Sequence, residues 1–193
     1  MAVYELLESN HPSLSAPLTE VTDSQEGREQ IQQDLVDTMR AKNGIGLSAN
    51  QIGIGARVFT MYEDVKKKDI IVCFNPKIVT VSEEQVLMEE GCLSYPGLWL
   101  RVRRPEGIEV TYEDVKGELQ EFAMFGLAAR IFQHEYDHME GTDFTKRVSK
   151  LKLDLAKKRL RKVQKKLEWM SLNGDRVSEL RRDGLSSWLP GDM

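Results

Sequence analysis

The chain has 193 residues, of which 40% are hydrophobic and 30% charged, and its net charge is −4 at pH 7. This composition is that of a folded globular domain and excludes collagen-like and strongly charged disordered proteins. No apolar run is long enough to span a bilayer, and the first residues lack the layout of a secretion signal. With only two cysteines, we expect one soluble domain without a disulfide framework, in the cytoplasm or another reducing compartment.

An N-terminal helix is predicted after an irregular arm of about 22 residues. Apolar residues recur at helical spacing up to Lys42, and the pair Asn43-Gly44 is typical of a helix end. Three consecutive polar residues can cap the start of this helix. They are Thr22, Asp23 and Ser24.

Strands dominate the region between residues 44 and 125, after a glycine-rich loop at 44–53. This loop lacks both the Gly-Lys-Ser/Thr ending of a phosphate loop and the spacing of a dinucleotide fingerprint. Apolar runs and alternating patterns then predict several strands, separated by turn signals such as Asn75-Pro76. The predicted strands are 58–62, 70–74, 78–81, 85–88, 108–112 and 119–125. Because these strands precede the next helix, we expect an α+β fold with antiparallel sheets packed around that helix.

The next predicted helix, residues 126–140, contains the sequence Gln-His-Glu-Tyr-Asp-His at 133–138. Residues four apart lie on one face of a helix, so His134 and His138 can bind the same metal ion. Glu135 lies one position along, where a carboxylate can reach a water molecule bound to that ion. The alternative is a surface helix that carries two of the chain's three histidines by chance.

A catalytic metal site needs a third protein ligand and one open position for water. No further histidine follows the helix motif, and Glu140 and Asp143 are too close to it in sequence. A thiolate from Cys92, upstream, would give a Cys-His-His set that suits iron(II) or zinc. The alternative for Cys92 is a buried structural cysteine, which is the role we expect for Cys73.

Three segments resemble the signature motifs of the peptide deformylase family, in the family's order and at its spacing. The segments are residues 44–51, 90–94 and 133–138. The resemblance extends over about residues 10–165. The chain departs from the family at Ser48, where alanine is more common, and in the arm around Asn10-His11-Pro12. One added hydroxyl at Ser48 should not disable the loop.

The resemblance implies a hydrolase that removes the formyl group from the N-terminal methionine of newly made polypeptides and releases formate. It implies one divalent metal ion, natively Fe²⁺, which Zn²⁺, Ni²⁺ or Co²⁺ can replace. The implied metal ligands are Cys92, His134 and His138. Hydroxide on that metal would attack the formyl carbon, with Glu135 as general acid and base. The side-chain amide of Gln51 and the backbone N–H of Leu93 would stabilise the oxyanion.

The resemblance also implies which residues contact the formyl-methionyl substrate. Gly46 would pair with the peptide backbone as an added strand does. A pocket for the methionine side chain would be lined by apolar residues, although these would also fit a plain hydrophobic core. The residues assigned to substrate binding are Ile45, Gly46, Met88, Glu90, Leu127 and Ile131. Gln133 would brace the metal ligands, whereas Tyr136 and Asp137 would orient or pack the helix.

A basic C-terminal helix, about residues 146–170, completes a predicted single catalytic domain of residues 1–170. Between residues 146 and 166 there are eleven lysines and arginines and one acidic residue. The simpler interpretation is a helix that packs an apolar seam and exposes its basic face. The other, which the resemblance also supports, is docking to the ribosome rather than to a membrane. We expect a monomer, and residues 171–193 form an extension of unknown role.

Two rival functions remain open from the sequence alone. One is a zinc endopeptidase with the same helix motif, which would keep its metal when Cys92 is replaced by alanine. The other is an RNA- or ribosome-docking protein with a structural metal, which would keep its function when Glu135 is replaced by alanine.

Overall fold

The computed structural model describes residues 2–22 and 24–173, which form two antiparallel sheets and three α-helices. In chain order, the elements are α1 (Gln25–Ala41), β1 (Gly46–Ser48), β2 (Val58–Asp64), β3 (Asp69–Val81), β4 (Gln85–Glu90), β5 (Leu100–Pro105), β6 (Gly107–Glu113), β7 (Leu119–Phe125), α2 (Gly126–Met139) and α3 (Lys150–Asn173). The predicted α+β class is confirmed. Asp23 lies outside the described residues. So do residues 174–193, which make up most of the predicted extension at 171–193.

The larger sheet has five strands in the order β1-β2-β3-β6-β7, and β4 pairs with β5 in a separate two-stranded sheet. All of these pairs are antiparallel. β1 lies at the edge of the larger sheet and, among the described strands, pairs with β2 alone. α2 packs against both β1 and β2, which brings the histidine-bearing helix next to the glycine-rich segment.

Helices α1 and α2 cover opposite faces of the larger sheet. Val58 and Phe74 pack in the same apolar cluster as residues of α1, whereas Phe59 and Cys73 pack with residues of α2. Neighbouring residues of a strand point to opposite faces, so this division follows from the alternation along β2 and β3. Cys73 is fully buried, as expected of a core residue. Ser24 provides the cap of α1, accepting a hydrogen bond from the N–H of Gly27.

Strand β3 continues through Asn75-Pro76, where the sequence predicts a break. Asn75 adopts a φ of 50°, and the pairing register with β6 shifts between Phe74 and Lys77. The side chain of Asn75 also accepts a hydrogen bond from the N–H of Val21 and donates one to its carbonyl. The predicted break was wrong because a bulge accommodates this turn signal within one strand.

The sequence pattern predicts neither β1 nor β5. β1 has three residues, begins at Gly46 and is defined by its pairing with β2. β5 buries Leu100, Val102 and Arg104 and exposes the two residues between them. An arginine at an inward position hides the alternation of apolar and polar residues by which such a strand is recognised.

Helix α3 packs an apolar seam against the rest of the domain, as predicted. Ala156, Val163 and Met170 are buried, and Ala156 belongs to a cluster that includes Leu100 and Phe144. Most lysines and arginines of α3 are exposed. None of the helices in the described part of the chain has the length and apolar character needed to cross a membrane.

Candidate active site

Cys92, His134 and His138, the predicted metal ligands, come together in the structure. Their ligand atoms all lie within 4.8 Å of one another, and Cys92 Sγ is 3.4 Å from His138 Nε2. With bonds of about 2.3 Å to sulfur and about 2.1 Å to nitrogen, a tetrahedral metal ion holds these two ligand atoms roughly 3.6 Å apart. The three side chains therefore fit the requirements of one divalent metal ion.

The surroundings of the two histidines leave each of them able to bind metal through Nε2. Glu90 Oε2 lies 3.0 Å from His134 Nδ1, an arrangement in which Nδ1–H donates to the carboxylate and Nε2 is available to a metal ion. Burial lowers the pKa of His138 to about 3. Burial also opposes protonation of His134, but hydrogen bonds with Cys92 and Glu90 outweigh it and raise the pKa of His134, so a metal ion would compete with a proton for its Nε2. A neutral imidazole is the form that binds a metal ion.

Two buried arginines hold Glu90. Arg104 donates to its carboxylate through Nε at 2.7 Å and Nη2 at 2.9 Å, and Arg130 Nη1 donates at 2.9 Å. Burial opposes ionisation of Glu90, but hydrogen bonds from Arg104 and His134 outweigh it and hold the pKa of Glu90 well below its usual range. Both oxygens of the carboxylate are thus engaged in hydrogen bonds with His134 and the two arginines. These contacts show that Glu90 orients the His134 ring, and its expected contact with the substrate stays a prediction.

Arg104 is a residue of the site that sequence reasoning missed. Its Nη1 lies 2.9 Å from Asp137 Oδ2, so its guanidinium bridges the two buried carboxylates, Glu90 and Asp137. Asp137 pairs also with Arg147. The one signal in the sequence was that Arg104 continues the alternate spacing of Leu100 and Val102, which would place it inward in a strand. A buried arginine requires an acidic partner.

The sequence predicts that Gln133 braces the metal ligands, but its side-chain amide does not donate to any of the three. Its side-chain amide donates instead to the carbonyls of Pro105 and Ala129, each at 3.0 Å. Gln133 therefore ties α2 to the end of β5. Its backbone carbonyl accepts a hydrogen bond from Arg104, which joins it indirectly to the buried charges.

Glu135 is buried beside the edge strand β1. Ser48 Oγ donates to Glu135 Oε2 at 2.7 Å, whereas no described residue donates to Oε1. Burial raises the pKa of Glu135, in the direction that favours a general base working near neutral pH. A β-carbon at Gly46 would collide with this carboxylate, since it would lie 2.9 Å from Cδ of Glu135. The close approach of strand and carboxylate therefore requires glycine.

Gln51 and Leu93, the predicted oxyanion donors, both lie next to Cys92. Gln51 Oε1 accepts a hydrogen bond from the N–H of Ser48 at 2.9 Å, and this fixes which end of the amide points inward. Nε2 is accordingly 3.3 Å from Cys92 Sγ and 3.2 Å from Ser94 Oγ. The N–H of Leu93 donates to no described residue. The site thus combines two N–H donors with three side chains that could hold a metal ion.

The four apolar residues predicted to form a methionine pocket occupy different environments. Ile131 is buried in the core cluster on the α2 side of the larger sheet, as the plain-core alternative describes. Leu127 is 44% exposed, and Ile45 and Met88 are half-buried. A substrate role for these residues stays a prediction.

Comparison with known proteins identifies the family. The model of the polypeptide deformylase family matches residues 3–154, which is well over half of the chain. This chain belongs to the peptide deformylase family. The peptide deformylase of Wolbachia pipientis wMel is 33% identical over 180 residues, covering 87% of this chain and 99% of the relative.

Solved structures of the family have the same fold. A peptide deformylase from Legionella pneumophila superimposes with a TM-score of 0.77 at 34% identity, covering 86% of this chain and 98% of that one. The Met-Ala-Ser-bound class I type b peptide deformylase from Acinetobacter baumannii gives 0.71 at 31% identity, covering 76% and 99%. Membership of this family favours formyl-amide hydrolysis over the endopeptidase alternative, and an enzyme over a docking protein with a structural metal.

Proposed function

We propose that this deformylase removes the formyl group from N-terminal methionine with one divalent metal ion bound by Cys92, His134 and His138. The observation that supports the proposal is the convergence of these three side chains with a buried carboxylate, Glu135, and an inward-facing amide, Gln51. When bound, the ion supplies Lewis-acid activation of water and of the formyl carbonyl.

Glu135 moves the proton in this mechanism. Because Ser48 holds Oε2, Oε1 is the atom that accepts a proton from the attacking water. Oε1 then returns the proton to the amine of the departing peptide. Burial, which raises the pKa of Glu135, makes the carboxylate a stronger base than one in water.

Gln51 Nε2 and the N–H of Leu93 donate hydrogen bonds to the formyl oxygen as negative charge develops on it. The N–H of Ser48 holds the Gln51 amide in the required orientation before substrate arrives. Nε2 now donates to Cys92 Sγ and Ser94 Oγ, so one of these hydrogen bonds gives way to the formyl oxygen. Losing an oxyanion donor typically costs about 10²- to 10³-fold in rate.

The edge strand β1 would bind the backbone of the substrate peptide. In the described part of the chain, one edge of β1 pairs with β2 and the other carries no strand. An extended peptide can add to such an edge through backbone hydrogen bonds. The similar protein from Acinetobacter baumannii has been solved with bound Met-Ala-Ser, which supports a peptide that begins with methionine.

We propose Fe²⁺ as the native ion, with Zn²⁺, Ni²⁺ and Co²⁺ as possible replacements. One thiolate and two imidazoles form a donor set that these borderline metals accept and that Mg²⁺ and Ca²⁺ do not. Cys92 must remain reduced to act as a ligand, and Cys73 is also a free thiol. These requirements fit a reducing compartment such as the cytoplasm.

We also propose that the basic face of α3 docks on the ribosome, where new polypeptides emerge. The apolar seam of α3 is buried in the domain, so the lysines and arginines remain on the outside. Exposed basic residues of this helix include Lys157, Lys158, Arg161, Lys162 and Lys165. A cationic surface of this kind attracts the phosphate backbone of RNA.

Release of formate from a formyl-Met-Ala-Ser peptide tests the enzymatic function. With protein purified anaerobically and loaded with Fe²⁺, we expect formate from the wild type and at least about 10²-fold less from Glu135→Ala. Glu140→Ala, an exposed carboxylate just beyond α2, is the control and should stay active. Metal-loaded wild type that releases no formate would contradict the proposal, and cleavage of internal peptide bonds would then support the endopeptidase.

A further inference from the structure

Ser48 contacts two of the proposed catalytic groups at once. Its hydroxyl donates to Glu135 Oε2 at 2.7 Å, and its backbone N–H donates to Gln51 Oε1 at 2.9 Å. Ser48 is completely buried, so water does not compete for either hydrogen bond. One residue of the edge strand therefore joins the proposed general base to the proposed oxyanion donor.

The alternation of side chains along β1 explains this position. Gly46 and Ser48 share one face of the strand, whereas Leu47 points the other way into the core on the α1 side. Gly46 leaves the space that the Glu135 carboxylate occupies. Ser48, two residues further on, supplies the hydrogen bond to that carboxylate. The Glu135 carboxylate thus lies between the backbone of Gly46, which carries no side chain, and the hydroxyl of Ser48.

The Ser48 hydroxyl has two possible acceptors, and both belong to Glu135. Oε2 is 2.7 Å away, and the backbone carbonyl oxygen is 3.2 Å away. The shorter contact to an ionised oxygen is the stronger one. When Oε1 takes up a proton, Oε2 can keep its hydrogen bond, so the carboxylate need not rotate during the reaction.

We propose that Ser48 is a positioning residue for deformylation, whose hydroxyl fixes the Glu135 carboxylate with Oε1 directed at the reacting water. This inference rests on the proposed function of Glu135. No other described side chain donates a hydrogen bond to that carboxylate. Without the hydroxyl, the carboxylate could rotate about its terminal torsion, which is broad and weakly restricted.

The kinetic test compares the wild type with Ser48→Ala, both metal-loaded, on a formyl-Met-Ala-Ser peptide. We expect kcat to fall about 3- to 10-fold with KM unchanged, because a misaligned base loses part of its usual 10²- to 10⁴-fold contribution. Ser48→Thr, which keeps the hydroxyl, should retain more of the wild-type kcat than Ser48→Ala.

Thr60→Val is the matched control. Thr60 is as completely buried as Ser48 and lies opposite Leu47 in the neighbouring strand, but its hydroxyl donates to the carbonyl of Ile71. Its loss should affect stability and leave kcat unchanged. A kcat for Ser48→Ala equal to that of Thr60→Val would overturn the inference.

A double-mutant cycle separates positioning from a general structural effect. In a Glu135→Gln background, Ser48→Ala should change the residual rate by less than about twofold, because its effect acts through the carboxylate. An equal loss of rate in both backgrounds would overturn the inference. Wild type that releases no formate, or Glu135→Gln that stays fully active, would contradict the proposed function instead.

Urea unfolding of the same four metal-loaded proteins gives a readout that does not depend on activity. The amide oxygen in Glu135→Gln can still accept from Ser48, but a hydrogen bond to a carboxylate is about twice as strong. The unfolding equilibrium constants should therefore deviate from additivity by about threefold or more. Additive effects would show that the hydroxyl does not hold the carboxylate, and would likewise overturn the inference.

Discussion

Glu90 Oε2 lies 3.0 Å from Nδ1 of His134, and both residues are buried. This contact connects the end of β4 to a predicted metal ligand on α2, and Arg104 and Arg130 donate hydrogen bonds to the same carboxylate. The histidine ring is thereby oriented before any metal ion binds, and its Nε2 is left as the ligating atom.

The first prediction concerns this contact. Replacing Glu90 by glutamine keeps the size of the side chain but removes the charge that holds His134 and the two arginines. We expect metal affinity to fall about 10- to 100-fold, measured by competition with a chelator on folded protein. Glu89→Gln changes the exposed neighbouring residue and should bind metal as the wild type does. Equal affinities for the two variants would refute the positioning role of Glu90.

The second prediction concerns the thiolate ligand. Cys92→Ala leaves only His134 and His138, and a catalytic site of this type needs three protein ligands. We therefore expect nearly all of the metal to be lost, as measured by elemental analysis of protein prepared in parallel with the wild type. Cys73→Ala removes the other thiol, which lies in the core, and should retain the metal. Full metal content in Cys92→Ala would favour a histidine-and-carboxylate site.

The third prediction tests the requirement for glycine at the edge strand. In Gly46→Ala the new methyl group would overlap the Glu135 carboxylate, so the strand or the base must move. We expect kcat to fall by about 10²-fold, most of what a general base contributes. Gly55→Ala is the control, because a β-carbon there meets no atom within 4 Å. Wild-type kcat in Gly46→Ala would show that the position of the carboxylate is not critical.

The fourth prediction concerns ribosome binding by α3. Deleting the whole helix would also remove Ala156 from a core cluster, so charge reversal at exposed positions is the cleaner test. The double variant Lys158→Glu, Lys162→Glu should weaken binding and reduce the slope of log K against log salt by about 1 per lysine. Binding would be measured by co-sedimentation at several salt concentrations.

The matched control for α3 reverses the charge of two exposed lysines in the turn between β2 and β3. This control is the double variant Lys66→Glu, Lys68→Glu. It produces the same change in net charge at a different surface. If both double variants weaken ribosome binding equally, the effect comes from net charge, and α3 has no specific docking role.

The sequence determined the parts of the site that depend on local geometry or on a contiguous motif. The four-residue spacing of His134 and His138 is sufficient to place them on one face, because a helix fixes that relation wherever it lies. The resemblance of the segment around Cys92 to a family motif then supplied Cys92 as the predicted third ligand. The α+β class followed from the order of strands and helices along the chain.

Only the tertiary structure decided which distant residues support that site. Glu90, Arg104 and Asp137 form a buried ion network that no local pattern encodes, since its members lie on β4, β5 and α2. The contact of Ser48 with Glu135 likewise joins residues 87 positions apart. Hydrogen bonds and ion pairs depend on distances of a few ångströms in space. These distances are set by the packing of α2 against β1 and β5 rather than by the amino-acid sequence near each residue.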